Sequence, residues 1–286
     1  MPTKESTAKS KDAKGTLSDE KFPLRGKSLH LSAEVREKEL LCCLLDKHTN
    51  TYIAFANIAI DGKSTSVEEA LKNDILSTKA ISISISFAPN SSLLVPAPFF
   101  KKELINDYLG FQQLDKLNET PCFDFIKNLD SYNLYTVNNE ILSTLSKQYP
   151  SASFRHSSSI FIEFLLTENR HSDGSKVFVS VYTTYFDVVV LKAGKLILSN
   201  RFYYSNASDF IYHLLWVYEQ LELDNEKVSC VFYGDVESAS EIFSISGKYI
   251  KKISLGERNK QSTYSTALAI LPHHKYRSLF TQYLCV

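Results

Sequence analysis

Residues 177–204 read VFVSVYTTYFDVVVLKAGKLILSNRFYY, and residues 205–223 continue SNASDFIYHLLWVYEQLEL. The first part is a run of strands. Val177–Tyr182 and Tyr185–Leu191 are rich in Val, Phe and Tyr, which suit a pleated, half-buried surface. Ala193-Gly194 turns the chain into a third strand, Lys195–Tyr204, because glycine tolerates the positive φ of a tight hairpin. The second part is a helix from about Asp209 to Leu221. Phe210, Ile211, Leu214, Leu215, Tyr218 and Leu221 recur on one stripe at helical spacing. Asn206 is placed as its N-cap, with Asp209 three residues on as a capping-box variant. Three strands and an amphipathic helix make a covered sheet edge. This stretch is core architecture and holds no catalytic constellation.

The totals bound what the rest can be. With 286 residues there is material for one large domain or two ordinary lobes. Lys+Arg and Asp+Glu are each 32, so the net charge is zero and no global field draws the chain to nucleic acid or anionic membrane. No apolar run approaches the roughly 20 residues that span a bilayer. The first residues lack the apolar segment of a secretory leader. Cys42, Cys43, Cys122, Cys230 and Cys285 include no C-x-x-C pair, and Cys42 and Cys43 point to opposite faces of a strand. Buried, reduced cysteines in a cytoplasmic protein are the expectation.

Outward from the opening stretch, residues 1–27 are rich in Lys, Ser, Thr and Asp without apolar period and read as a flexible tail. Leu29–Val35, Glu39–Leu45 and Thr51–Ile60 form an antiparallel meander. A helix is expected from about Ser66 to Leu76, with Val67, Ala70, Leu71 and Ile75 inward. In Ala80–Phe87, Ile81, Ile83 and Ile85 alternate with Ser82, Ser84 and Ser86 as in a half-polar strand. No His or glycine elbow beside those serines supports a nucleophile. Residues 89–121 are irregular apart from a short strand at Leu93–Val95 and a short helix at Lys101–Leu109. A strand at Tyr132–Val137, helices at Asn139–Gln148 and Ser158–Leu166, and the polar break 169–174 follow. After the Asp209 helix come a buried strand at Lys227–Tyr233, a short helix at Ser238–Ser244, a strand at Tyr249–Leu255 and a C-terminal helix at Tyr276–Cys285.

Leu29 to Phe87 and Val177 to Tyr233 share one order: three strands, a helix, a strand. That repeat predicts an α/β protein of two similar lobes facing a cleft, with lobes at 28–171 and 172–286. The order resembles the actin-like ATPase fold, in which two ribonuclease H-like lobes flank a nucleotide cleft. Residues 186–196, FDVVVLKAGKL, are similar to the second-lobe hairpin of actin-like pilus-assembly proteins. Asn200-Arg201-Phe202-Tyr203-Tyr204, then residues 209–215 and Glu219-Gln220-Leu221, resemble a bacterial family of uncharacterised proteins with that fold. Ser278-Leu279-Phe280 and Leu284-Cys285 fit the same family. The family carries no assigned activity.

The resemblance implies where a nucleotide would sit. Actin-like ATPases hold phosphate on two hairpin turns with glycines and an Asp, because backbone N–H groups must reach the phosphates and an acid must organise Mg²⁺ and water. Here the first turn is Val35-Arg36-Glu37-Lys38-Glu39, without glycine. The second is Tyr182-Thr183-Thr184-Tyr185, without glycine or acid, and the adenosine-side loop Tyr233-Gly234-Asp235-Val236 has one glycine. The cleft candidates are therefore Glu37, Thr183, Thr184, Gly234 and Asp235, with no catalytic residue assigned.

Three other features have bland readings. Asp187 in its apolar strand reads as an outward polar position rather than a functional acid. His273-His274 lacks a third ligand, so it reads as a solvated loop and not a metal site. Phe202, Tyr203, Tyr204 and Tyr212, with no interleaved basic residues, read as sheet and helix packing rather than a stacking platform, and Trp216 as helix-edge packing. The expectation is a non-catalytic, cytoplasmic actin-like protein with degenerate phosphate loops. It would act in assembly or regulation with a protein partner and no nucleic acid, membrane span, metal or cofactor. The competing expectation is an enzyme or sensor that takes a nucleotide, such as ATP with Mg²⁺, or a phosphorylated metabolite in the cleft.

Overall fold

The computed structural model describes residues 15–18, 28–88, 91–111 and 117–285. The first unit runs β1 (Gly15–Ser18), β2 (Leu29–Val35), β3 (Glu39–Asp46), β4 (Thr51–Ala59), α1 (Ser64–Ala70) and β5 (Ser82–Phe87). Next come β6 (Leu93–Pro96), α2 (Ile105–Phe111), β7 (Glu119–Ile126), β8 (Ser131–Asn138), α3 (Asn139–Gln148), β9 (Ser153–His156) and α4 (Ser157–Glu168). The second unit is β10 (Ser175–Val181), β11 (Tyr185–Lys192), β12 (Lys195–Tyr203), α5 (Ala207–Gln220), β13 (Ser229–Gly234), α6 (Glu241–Tyr249) and β14 (Ile253–Leu255). The chain ends with β15 (Thr263–Tyr264), α7 (Arg277–Thr281) and a turn at Gln282–Cys285.

The expected repeat is there. In the first sheet β2 is central, with β3 and β4 antiparallel on one side and β5 and β9 parallel on the other. In the second, β10 is central, with β11 and β12 antiparallel on one side and β13 and β14 parallel on the other. The β11–β12 turn places Ala193 at φ 48° and Gly194 at φ 71°. A Cβ on Gly194 would stand 2.9 Å from the carbonyl oxygens of Asn169 and Arg170, so glycine serves both the turn and its packing. α5 begins at Asn206, whose side chain accepts from the N–H groups of Ser208 and Asp209. Asp209 reaches back to accept from the Ser205 N–H at 3.1 Å.

Each sheet has one face covered by its own helices and one covered by a helix from elsewhere. Leu29, Leu31, Ala33 and Val35 of β2 join Val67 and Ile141 of α1 and α3 in one cluster. Val177, Val179 and Val181 of β10 join Phe210 and Leu214 of α5 in another. The opposite face of the second sheet takes Phe161, Phe164 and Leu165 of α4. The opposite face of the first sheet takes Leu268, Tyr276, Leu279 and Phe280, which pack on Leu41, Cys43 and Phe55. β15 also pairs with β4. The expected division at 172 is thus crossed: α4 packs on the second sheet, and the C-terminal segment returns to the first.

Other expectations are corrected locally. Residues 15–18, expected in a flexible tail, are an edge strand on β4; the rest of 1–27 lies outside the described residues. α1 stops at Ala70 because Asn73 Oδ1 accepts from the Ile75 N–H and forms a turn, although Val67, Ala70, Leu71 and Ile75 are all buried as expected. β7 begins in the stretch read as irregular and runs on through residues assigned to no element; Pro121 hides it, but this is an edge strand of the small β6-β8-β7 sheet, where proline is tolerated. Between Ser240 and Leu255 the chain makes a longer helix and a shorter strand than expected. Gly247 sits within α6, where a Cβ would come 3.1 Å from Ile253. Ser84 and Ser86 are 3% and 0% exposed, so β5 has no wet face.

Candidate functional site

The two hairpin turns of the repeat lie at the cleft. The Arg36 N–H donates to the Glu39 carbonyl at 2.8 Å, and the Tyr182 N–H to the Tyr185 carbonyl at 2.9 Å. Each bond closes over two residues, Glu37-Lys38 and Thr183-Thr184. None of these residues has a positive φ. Side chains stand at every Cβ of both turns, where phosphate recognition through backbone N–H groups needs close approach. The third piece is Gly234, at φ +84°. A Cβ there would lie 2.2 Å from the Val181 carbonyl oxygen, so only glycine packs under the end of β10. The Asp235 N–H then donates to that same carbonyl at 2.7 Å.

Together these elements wall two adjoining cavities of about 530 and 560 Å³, which share Glu39, Asn57, Thr183 and Asp235. Of the five cleft candidates, Glu37, Thr183, Thr184 and Asp235 line this space. Gly234 stands behind the wall and positions Asp235.

The residue that dominates the cleft is Arg36. Its side chain is 10% exposed, and Nε donates to Glu34 Oε1 at 2.6 Å. Nη1 lies 3.7 Å from Asp235 Oδ2 and 3.9 Å from Glu39 Oε2. The guanidinium carbon is 5.3 Å from the Tyr182 ring centre. Burial works against its charge, but Glu34, Tyr182 and Asp235 outweigh burial and hold its pKa above the ordinary value. Burial and the Glu34 charge push the Tyr182 phenol up to about 12, so it is neutral at physiological pH. Lys275, from the returning C-terminal segment, places Nζ 3.5 Å from Asp235 Oδ1. Asp235, on the second-lobe side, therefore sits between two cations from outside that lobe's sheet.

A second tie lies behind the Tyr182–Tyr185 turn. Asp187 accepts from Arg201 Nε at 2.7 Å and Nη2 at 2.9 Å. The Arg201 guanidinium stacks 3.9 Å from the Tyr185 ring centre. Both Arg201 Nη1 and the Tyr185 hydroxyl donate to the Ala88 carbonyl of the first lobe, at 3.2 and 3.0 Å. Asp187 is therefore not the outward residue expected: it is 9% exposed and neutralised by a two-pronged pair.

The remaining candidates resolve as follows. His274 is 7% exposed, and its Nε2 meets the Val236 carbonyl at 2.5 Å, so it is not in a solvated loop. Burial lowers its pKa below the ordinary value. Among the described residues no three His, Cys, Asp or Glu side chains are grouped to hold a metal. Phe202 packs as expected, on Phe186 and stacked on His213 at 5.3 Å, but Tyr203 and Tyr212 are more than half exposed. Trp216 meets Phe202 edge-on. Cys42 and Cys43 face different cores, and Cys42, Cys43, Cys122 and Cys230 are free thiols. No helix among the described residues is long and apolar enough to cross a membrane.

Sequence reasoning missed Arg36 and Lys275 as site residues. Arg36 was visible in a turn of the right position, but its partner Asp235 is remote in sequence. Lys275 reaches the site only because the C-terminal segment returns to the first sheet, and nothing local announces that.

Known structures of the same architecture confirm the class. A protein from Bacteroides thetaiotaomicron VPI-5482 with an actin-like ATPase fold and unknown function superposes with TM-score 0.74 at 19% identity, over 86% of this chain and 96% of that one. The PilM-PilN type IV pilus biogenesis complex does so with TM-score 0.51 at 8% identity, over 82% of this chain and 90% of that one. No curated protein matches the chain in sequence. The fold is the actin-like ATPase fold, two ribonuclease H-like lobes around a cleft. Within that class, the chain belongs to the family described as protein of unknown function DUF3822, whose profile matches residues 19–253.

Proposed function

We propose that this is a non-catalytic, cytoplasmic actin-like protein that binds a protein partner in assembly or regulation. The observation that carries the reading is Arg36. A buried guanidinium fixed by Glu34 points at Asp235 from the first hairpin turn, in a cleft whose turns have no glycine. An acid that organises Mg²⁺ must present free carboxylate oxygens, whereas those of Asp235 lie near Arg36 and Lys275. Burying a second guanidinium against Ala88 and Asp187 ties the lobes at another point. Such a cleft suits a scaffold of fixed lobe geometry better than one that opens and closes on a nucleotide. Free, buried thiols agree with a reducing compartment. One protein of the same fold belongs to a pilus biogenesis complex, which shows the fold in use as a component of an assembly.

The competing reading, a nucleotide or phosphorylated metabolite in the cleft, has the cavity volume in its favour and the electrostatics against it. Isothermal titration with MgATP and a phosphate-release assay separate the two. The expected outcome is no turnover and no saturable heat. Saturable binding in the low micromolar range, abolished by Thr183→Val or Thr184→Val, would replace the scaffold reading with the nucleotide one.

A further inference from the structure

We propose that a pocket outside the cleft, between α4 and the β13–β14 side of the second sheet, binds a small carboxylic acid with an apolar body, its carboxylate held by Arg277. The pocket has a volume of about 360 Å³. α4 packs on Phe178, Val189 and Leu191 and reaches Tyr233 of β13 through Phe161, and the pocket lies beside it over Val231 and Ser254. Phe178, Val231 and Tyr233 floor it, and Phe164 of α4 forms a side wall. Its shape is set by the backbone: a Cβ on Gly256 would fall 1.9 Å from the Tyr233 ring, so glycine there is what lets the ring lie in the floor.

Arg277 closes one end, and its environment is unusual for a buried cation. The residue is 8% exposed, its guanidinium lies 3.8 Å from the Phe164 ring centre and 5.5 Å from that of Tyr233, and Nη1 donates to the Glu257 carbonyl. Nε has no hydrogen-bond partner among the described residues. No carboxylate among them lies within ion-pair distance of it. Buried charges are ordinarily paired. The other charged groups of the wall are committed or outside: Arg258 donates to the carbonyls of Leu268 and Leu271, Lys260 pairs with Glu257, and Glu168 is exposed. Burial pulls the guanidinium's pKa down, and Tyr233, Tyr264 and the more distant Glu168 carboxylate raise it only in part. An apolar acid supplies what is missing, a carboxylate beside the guanidinium and an apolar body for the floor. The rings stacked on the guanidinium hold it in place while the pocket is empty.

The test is titration of the full chain with 4-phenylbutyrate, octanoate and indole-3-acetate, each against its neutral amide, followed by calorimetry and ligand-observed NMR. The acids should bind at least ten-fold more tightly than the amides. Arg277→Lys, which keeps the charge and loses the planar guanidinium stacked on Phe164, should reduce that preference several-fold. Ser254→Trp fills the pocket from an exposed rim position and leaves Arg277 in place. It should abolish binding while the melting temperature is kept, so the test does not depend on the Arg277 variant folding. Equal affinity for acids and amides, no binding of any acid at millimolar concentration, or binding unchanged in Ser254→Trp would each overturn the proposal. A free-carboxylate peptide such as Gly-Leu-Phe binding where the small acids do not would overturn it in favour of a peptide terminus.

Discussion

On the first sheet, the face of β2 turned towards the C-terminal segment carries His30, Ser32 and Glu34, all buried. On the second, the face of β10 turned towards α4 carries Phe178 and Ser180, beside Val189, Leu191 and Tyr233. The strands have the same order and the covering helices come from outside the unit in both cases. The first interior adds directed bonds to its apolar cluster. His30 Nδ1 and Nε2 meet Ser82 and Ser84 at 2.8 and 2.9 Å, and Gln282 Nε2 donates to Ser86 Oγ and the Ala33 carbonyl. The second is held by apolar contact. A shared topology therefore specifies its two covers differently: by hydrogen-bond register added to apolar packing on one sheet, and by shape and area on the other. The Glu34–Arg36 pair lies on the same face of β2 as that polar layer and carries it to the edge of the cleft.

The sharpest way to break this contrast is to empty each interior in turn. Arg36→Ala leaves Glu34, 0% exposed, as an uncompensated buried charge. The expected loss is about 3–5 kcal/mol in urea unfolding, with most of it restored by adding Glu34→Gln. A loss under about 1 kcal/mol would mean that water reaches Glu34 and that the cleft network is not structural. On the other sheet, Leu214→Ala removes a fully buried side chain of α5. It should cost about 2–5 kcal/mol, with no rescue by any polar partner. A loss below about half a kcal/mol would take Leu214 out of that core.

The pH dependence tests the polar layer alone. Burial, and then the charge of Lys47, lower the His30 pKa from 6.5 to about 4. The unfolded chain takes up this proton near pH 6.5, and the folded chain resists it until about 4. Stability is thus level above pH 6.5 and falls as pH drops towards 4, by at most about 3 kcal/mol. His30→Gln should flatten most of that slope between pH 7 and 5. His274, also lowered by burial, contributes a remainder of the same sign. An unchanged slope in His30→Gln would place the titration elsewhere.

What was legible in the sequence follows the same divide. Runs such as residues 186–191 and the α5 stripe announce burial because apolar residues recur at the period of the element. The period says that a face is covered, not by what. α4 is apolar nearly all round, which fits contact with two surfaces, yet no residue in it says that one of them is the other lobe's sheet. The serines of β5 show the limit more clearly. Alternation with isoleucine read as a wet face, but a buried face satisfied by His30 and Gln282 gives the same pattern. At the cleft, missing glycines were legible because glycine has a local conformational meaning. The Arg36–Asp235 and Lys275–Asp235 contacts were not, because a charge in a turn looks the same whether solvent or a remote carboxylate faces it.

The smallest expected effect concerns the edge that only the first sheet has covered. β1 pairs with β4 from Gly15 opposite Asn57 to Ser18 opposite Ala54, while the second sheet ends at β12 among the described residues. Most of β1 is exposed; Leu17 packs against the cluster of Phe55 and Leu268, and Thr16 Oγ1 accepts from Asn73 Nδ2 at 3.2 Å. A short exposed strand gains few hydrogen bonds beyond those water offers and orders its residues at an entropic cost. Removing residues 1–27 should therefore lower stability by about 1 kcal/mol, less than any change above. Leu17→Ser in the full chain should reproduce most of that loss, since Leu17 is the apolar anchor of the strand. If the truncated chain instead loses as much as Leu214→Ala does, β1 is part of the first sheet's core. The two sheets would then differ in size as well as in interior. If both variants melt with the full chain, β1 rests on β4 without holding it, and the contrast between the sheets stays where the polar layer puts it.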